Sequence, residues 1–183
     1  MTVIEEGGSF TPMRRFLTAV LAMIAVLALV AAAAFLVLGP ERLWAQFGPS
    51  DLGDVDFATL ERRATPNDAL ACLPEFCEAQ SDIPAPVIAR PFGDVFLAVQ
   101  DAVVHEPGLE QVDADAGTGL LRFVQRSRLL GFPDTINVKV VPESDGKTAV
   151  LIYSRSQIGR ADMGVNLARV KRWSDLIVTQ AGK

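Results

Sequence analysis

The sequence predicts an α+β domain carried behind one membrane-spanning helix. Three observations predict it. Residues 16–38 form a 23-residue run without a charge. Further on, apolar residues recur with helical spacing at 92–103 and again near the C-terminus. Between those two stretches they alternate with the period of a β-strand. The order helix, four strands, helix describes an antiparallel four-stranded sheet with two helices on one face.

The N-terminal run comes first. As a helix it spans roughly 34 Å, enough for a hydrocarbon core of about 30 Å. Arg14 and Arg15 precede it directly. By the positive-inside rule they place residues 1–15 in the cytoplasm and the rest of the chain outside. This corresponds to a bacterial inner-membrane protein with a periplasmic domain in the cell envelope. Two alternatives stay open. Ala31–Ala34 supply small residues for signal cleavage, although the apolar run continues to Leu38. Arg14-Arg15-Phe16-Leu17 resembles a twin-arginine export signal that lacks its spacer.

Residues 39–66 read as a connector broken by Gly48-Pro49, Gly53 and Pro66. Asp56 is placed to cap a short helix over 57–63. Trp44 and Phe47 suit a membrane–water interface. Residues 67–91 are Pro-rich and read as irregular, and they hold both cysteines of the chain, Cys72 and Cys77. Outside the cytoplasm a disulfide closing a small loop is the simplest reading, with free thiols or a functional pair as alternatives.

The spacing of Phe92, Val95, Phe96, Val99 and Val103 predicts an amphipathic helix stopped by Pro107-Gly108, with Asp94 near its start and His105 in its last turn. Strands follow at 109–112, 120–126, 135–141 and 148–154, and Asp145-Gly146 is the last turn. Ile136, Val138 and Val140 share a face, so one side of the sheet is buried and the other is wet or covered by polar groups. A closing helix over 164–179 aligns Met163, Leu167, Val170 and Ile177 as its core stripe.

Charge is the next constraint. The chain of 183 residues has net charge −5, which argues against a nucleic-acid partner. That average hides two unlike segments. Residues 41–115 carry fifteen acids against four bases, and residues 116–183 carry eleven bases against five acids. A single His and two Cys make a poor metal set, and no cofactor or metal is expected. The chain lacks a Gly-x-Ser-x-Gly elbow, a phosphate-binding Walker loop and a His-Glu-x-x-His motif.

The basic segment concentrates its polar residues in two loops. One runs from Arg126 through Arg128 to Asp134. The other runs from Arg155 and Ser156 through Gly159 to Asp162, Asn166 and Arg169. In a 1-2-3-4 antiparallel order both loops lie at one end of the sheet. Asp162, Asn166 and Arg169 fall on one side of the last helix, with Asp162 placed as its N-cap. Two readings stay open. One is a salt-bridged network in which Asp134 and Asp162 pair with arginines and pin the helix to the sheet. The other is an arginine-lined site for an anion near a helix N-terminus.

At these residues the chain resembles the bacterial and plastid family catalogued as domain of unknown function 1499. The resemblance spans residues 66–173. It is carried by Pro66-Asn-Asp-Ala-Leu-Ala-Cys72 with Cys77 and Ala85-Pro-Val87, and by Arg126-Ser-Arg-Leu-Leu-Gly-Phe-Pro-Asp134. The most specific part is Tyr153-Ser-Arg-Ser-Gln-Ile-Gly-Arg-Ala-Asp-Met-Gly-Val-Asn166 with Arg169. The resemblance implies an architecture and a shared polar site and names no reaction.

Three functions follow from this reading. The first is a membrane-tethered domain binding an anionic small molecule, a lipid headgroup or an envelope protein through Arg126, Arg128, Asp134, Arg155, Ser156, Gly159, Asp162, Asn166 and Arg169. The second is an enzyme of unfamiliar type using Asp162 or Asp134 as acid or base. The third is a structural or assembly role in a membrane complex. The lipid bilayer is the partner expected of residues 16–38.

Overall fold

The computed structural model describes residues 11–183. Of the expected N-terminal segment 1–15, residues 1–10 lie outside the described residues. The described chain forms two compact units divided between Leu43 and Trp44, so the last residue of the N-terminal helix belongs to the second.

The first unit is helical. Helix α1, Thr11–Trp44, is interrupted at Gly39, whose φ of 75° breaks the helical path ahead of Pro40. Proline has no N–H to donate and disfavours α-geometry in the residue before it, so the Gly-Pro step marks the end of the apolar stretch. The helix is long and apolar enough to cross a membrane, and its side chains are almost all exposed.

The second unit is a mixed helix and sheet domain. Its elements are β1 (Asp68–Ala71), β2 (Val87–Ile88), α2 (Phe92–Val103), β3 (Leu109–Asp115), β4 (Leu120–Arg126), β5 (Pro133–Pro142), β6 (Thr148–Ser156) and α3 (Val165–Ala181). The strands form one sheet in the order β1-β6-β5-β4-β3, with β2 also paired to β6. Every strand pair is antiparallel. The sheet thus has six strands rather than the expected four. β1 begins on an aspartate and holds two alanines, and β2 is two residues long, so neither shows the alternation that reveals a strand. Both form by pairing with β6.

The remaining strands lie where alternation places them, with longer ends. β3 continues past a bulge between Gln111 and Asp113 into the expected loop. It is the exposed edge, and Glu110, Asp113 and Asp115 line it with negative charge, which discourages pairing with another chain.

α2 and α3 pack together on one face of the sheet. Val95, Phe96, Val99 and Val103 of α2 meet Leu121, Phe123, Ile136, Val138, Val140, Val150 and Ile152 from the strands. From α3 come Val170, Trp173 and Ile177. Trp173 sits edge-on to Phe123 with ring centroids 5.4 Å apart. The expected stripe of α3 needs one correction. Met163 lies before the helix and is fully exposed, and Trp173 is the largest buried side chain of α3. Likewise α2 ends at Val103, so His105 follows the helix in an exposed turn.

The second face of the sheet is also dry. Leu70, Ala149, Leu151 and Tyr153 pack there under Phe57, Leu60, Ala85 and the cysteines. Cys72 and Cys77 form a disulfide. The residues read as a connector therefore cover the sheet. No helix forms at 57–63. Asp56 closes a turn instead, accepting from the Ala58 N–H at 3.0 Å and the Thr59 hydroxyl at 3.2 Å. A seven-residue helix is marginal in isolation, and burying Phe57 and Leu60 against the sheet decides the local conformation.

Candidate functional site

The polar residues singled out in the sequence do converge on one end of the sheet, where β4 ends, β5 begins, β6 ends and α3 begins. The register places Asp134 opposite Ser156 and Arg126 opposite Pro133. Period-2 alternation then sorts the side chains. Gln125, Asp134, Ser154 and Ser156 face the helices, and Arg155 faces the other way.

On the helix side a buried network forms around Arg169. Its Nη2 donates to Asp134 at 2.6 Å, and its Nε donates to Gln125 Oε1 at 2.6 Å. Its Nη1 donates to Ser154 Oγ at 2.8 Å and to Asn166 Oδ1 at 2.7 Å. Both members of the ion pair are buried, with side-chain exposures of 7% and 10%. Asn166 extends the network. Its Nδ2, with two N–H groups, lies within hydrogen-bond distance of three acceptors: Asp162 at 2.6 Å, Ser156 Oγ at 2.9 Å and the Asn67 carbonyl at 3.1 Å. Asp162 is not the N-cap expected of it: Gly164, at φ 80°, holds that position without a side-chain cap, and Asp162, two residues earlier, accepts from the Asn166 N–H at 2.8 Å and the Gly164 N–H at 2.9 Å. Gly159, at φ 95°, holds the preceding loop, and its carbonyl accepts from Asn67 Nδ2 at 2.8 Å.

Burying a guanidinium and a carboxylate is tolerated when both are satisfied, and here nearly every donor and acceptor has a partner. The network therefore pins α3 to β4, β5 and β6. The carboxylates of Asp134 and Asp162 are both engaged in it, Asp134 by Arg169 and Asp162 by Asn166.

Arg155 lies on the opposite face. Its Nη2 donates to the carbonyls of Leu52 at 2.9 Å and Gly53 at 2.8 Å. Burial, with Arg63 and Arg122 nearby, holds its pKa below the ordinary arginine value despite Tyr153 and Asp51. The same stretch is held by neighbours from adjacent strands. The Leu52 N–H donates to Thr135 Oγ1 at 2.9 Å, Asn137 Nδ2 donates to the Gly53 carbonyl at 3.2 Å, and Arg122 pairs with Asp51 and Asp54. Residues 50–54 are thus a strap laid across β4, β5 and β6. Arg155 belongs to that strap and not to the constellation around Arg169.

Beside the buried network lies an open cleft of about 500 Å³. Arg126, Arg128, Arg169 and Arg172 line it together with Glu106, Gln125 and Asp134. Asp134 is held by Arg169. Glu106 is held by Arg172 at 3.1 Å and 2.5 Å and accepts from Gln125 at 3.2 Å. Burial pushes the Glu106 carboxyl up, but Arg172 and Gln125 outweigh it and hold its pKa below the ordinary value. Four guanidinium groups thus face two carboxylates. Arg128 stands exposed at the mouth. The electrostatics suit an anion that needs several N–H donors.

Of the expected residues, Arg126, Arg128, Asp134 and Arg169 line the cleft. Ser156, Asp162, Asn166 and Gly159 lie in or beside the network that supports it. Gln125, Glu106 and Arg172 were missed. Gln125 had a signal: a polar residue on the inward register of Leu121 and Phe123. Arg172 had one too, one turn beyond Arg169. Among the described residues no group of three His, Cys, Asp or Glu side chains is placed to hold a metal ion.

Residues 62–177 match a family described as protein of unknown function (DUF1499). No curated protein matches the chain.

Proposed function

The chain belongs to the DUF1499 family, whose description names no activity, and from its own geometry we propose that it is a membrane-anchored binding domain that takes an anionic ligand in the arginine cleft. The observation that carries this reading is an open cleft lined by four arginines, with Arg128 exposed at its mouth. Arg169 and Arg172 form a rigid floor, already paired with Asp134 and Glu106. Arg126 and Arg128 stand at the end of β4 and on the loop after it. Arg169 and Arg172 set the shape of the floor, and Arg128, exposed at the mouth, supplies attraction.

Helix α1 is the anchor in this reading. Arg14 and Arg15 ahead of it favour a cytoplasmic N-terminus, which carries the domain across a bacterial inner membrane into the periplasm. The disulfide supports that side, since such bonds persist in oxidising compartments.

The test uses the full chain in detergent, with inorganic phosphate and pyrophosphate as probes. Pyrophosphate is expected to raise the melting temperature above the value in sodium chloride of equal ionic strength. Arg128→Ala, at the exposed mouth, is expected to weaken that rise while leaving the unliganded melting temperature nearly unchanged. A parent protein whose melting temperature responds to neither anion would overturn the reading.

A further inference from the structure

The hairpin tip between β4 and β5 poses a question that the cleft does not answer. It is firmly built. The Ser127 N–H donates to the Phe132 carbonyl at 3.0 Å, and the Phe132 N–H donates to Ser127 Oγ at 3.0 Å. The Gly131 N–H donates to the Ser127 carbonyl at 2.9 Å, and Gly131 takes φ 66° to close the turn. Yet this braced loop turns Leu129 outward at 84% exposure, with Leu130 beside it at 41%. A lone exposed leucine is ordinary, but adjacent ones that continue into a wider apolar patch create a demand for burial.

The demand is not confined to the tip. Nine large apolar side chains are exposed from Trp44 onward among the described residues, and five of them lie in the segments at this one end of the domain. They are Phe47, Leu129, Leu130, Met163 and Val165. Arg128 and Arg160 stand exposed on the same two loops. The loops are neighbours, because the Gln157 N–H donates to the Pro133 carbonyl at 3.1 Å.

The chain's own connectivity bears on this end. Trp44 packs on Phe132 with ring centroids 4.5 Å apart, and its Nε1 donates to the Leu130 carbonyl at 2.6 Å. Trp44 follows Leu38, the last residue of the apolar run, by six residues. A chain that short reaches roughly 20 Å. Trp44, the residue that holds the tip, thus lies within that length of chain from the apolar run. Apolar side chains among arginines match a bilayer interface, where leucine enters the acyl boundary and guanidinium groups meet lipid phosphates. The tether makes that contact effectively intramolecular.

We propose that the end of the domain formed by the Leu129–Leu130 tip and the neighbouring Met163 loop docks on the bilayer that α1 crosses, with Arg128 and Arg160 at the level of anionic headgroups. The proposal rests on the anchoring part of the proposed function and not on anion affinity in the cleft. It gives the cleft, which Arg128 also lines, a place at the membrane surface.

The experiment uses the full chain in nanodiscs of phosphatidylglycerol and brominated phosphatidylcholine. Both native cysteines are in the disulfide, so an introduced thiol takes an environment-sensitive fluorophore selectively. Labels are placed by Leu129→Cys, by Met163→Cys, and by Leu97→Cys on the exposed side of α2. All three positions are exposed, so labelling leaves the core intact. The labels at 129 and 163 are expected to be blue-shifted and quenched at least twofold more than the label at 97. Equal quenching at all three positions in a disc-bound chain would overturn the docking and leave the cleft reading standing. A chain that elutes apart from the discs would overturn the docking together with the anchor. A cleft that ignores phosphate and pyrophosphate while 129 and 163 are quenched would sink only the anion reading.

Discussion

The two faces of the sheet are buried by different means. On the helix face, α2 and α3 bring a continuous apolar layer, and one polar network is sealed beneath them. On the other face the cover is irregular chain, namely the strap 50–54, residues 57–60 and the disulfide loop. The difference follows from what each cover does with its backbone. A helix satisfies its own N–H and C=O groups and needs only an apolar stripe. Irregular chain leaves carbonyls to be satisfied, and Arg155 and Asn137 reach up from the strands to meet them. Arginine thus serves opposite purposes on the two faces: Arg169 is enclosed within a core, and Arg155 fastens a lid.

The contrast is broken most forcefully at Arg169. Arg169→Ala leaves Asp134 buried without its cation, and a loss of about 3–5 kcal/mol is expected in chemical denaturation. Arg169→Met combined with Asp134→Leu should recover much of it, because no unpaired charge remains. Trp173→Ala removes the largest buried side chain of α3, with an expected loss of about 3–5 kcal/mol, while Leu60→Ala on the loop face costs about 2–3 kcal/mol. Equal losses for these two would show that the covers contribute alike.

Arg155→Met tests the strap. Losing hydrogen bonds from a charged group costs about 2–3 kcal/mol, and hydrogen exchange of amides in residues 50–54 should accelerate first. Pyrophosphate binding should survive this change, because Arg155 lies across the sheet from the cleft. The disulfide closes a short loop. Cys72→Ser/Cys77→Ser is expected to cost roughly 2 kcal/mol in the chain-entropy account.

The smallest effect is acid sensitivity. Asp68 loses solvation on burial, which raises its pKa, but Arg62, the Tyr153 hydroxyl and the Arg63 N–H outweigh this and hold it below 3.8. Tyr153 itself is pushed far above its ordinary value by burial and by Asp68. A carboxyl whose folded pKa is depressed stabilises fully above its unfolded pKa, and that stability is lost as pH falls through the folded value. Glu106 on the helix side has the same sign. Stability should therefore decline below about pH 4. Asp68→Asn should flatten the loop-face share of that decline, read as a shallower slope of denaturation midpoint against pH.

Much of the site was legible in parity. Ser154 and Ser156 flank Arg155 in one strand, so no straight strand could aim all three at one place. Gln125 interrupts an inward apolar register, and Arg172 follows Arg169 by one helical turn. The partners of these groups were not legible. Nothing local marks Glu106 as the acceptor for Arg172, 66 residues away. β1 and β2 were illegible for a related reason: they are strands because β6 supplies their hydrogen bonds.

The order of amino acids alone determined the apolar run, the alternation of four strands and the core stripe of α2, because periodic burial writes itself into periodic sequence. It also placed the two arginine-bearing loops after β4 and β6, without guaranteeing that their side chains meet. Only the tertiary structure decided that the second face is covered, that Cys72 and Cys77 lie within that cover, and that Arg155 and Arg169 part company. The contacts responsible join residues as distant as Leu52 and Arg155, 103 positions apart. Irregular chain has no period of its own, so its conformation is set by the surface on which it comes to rest.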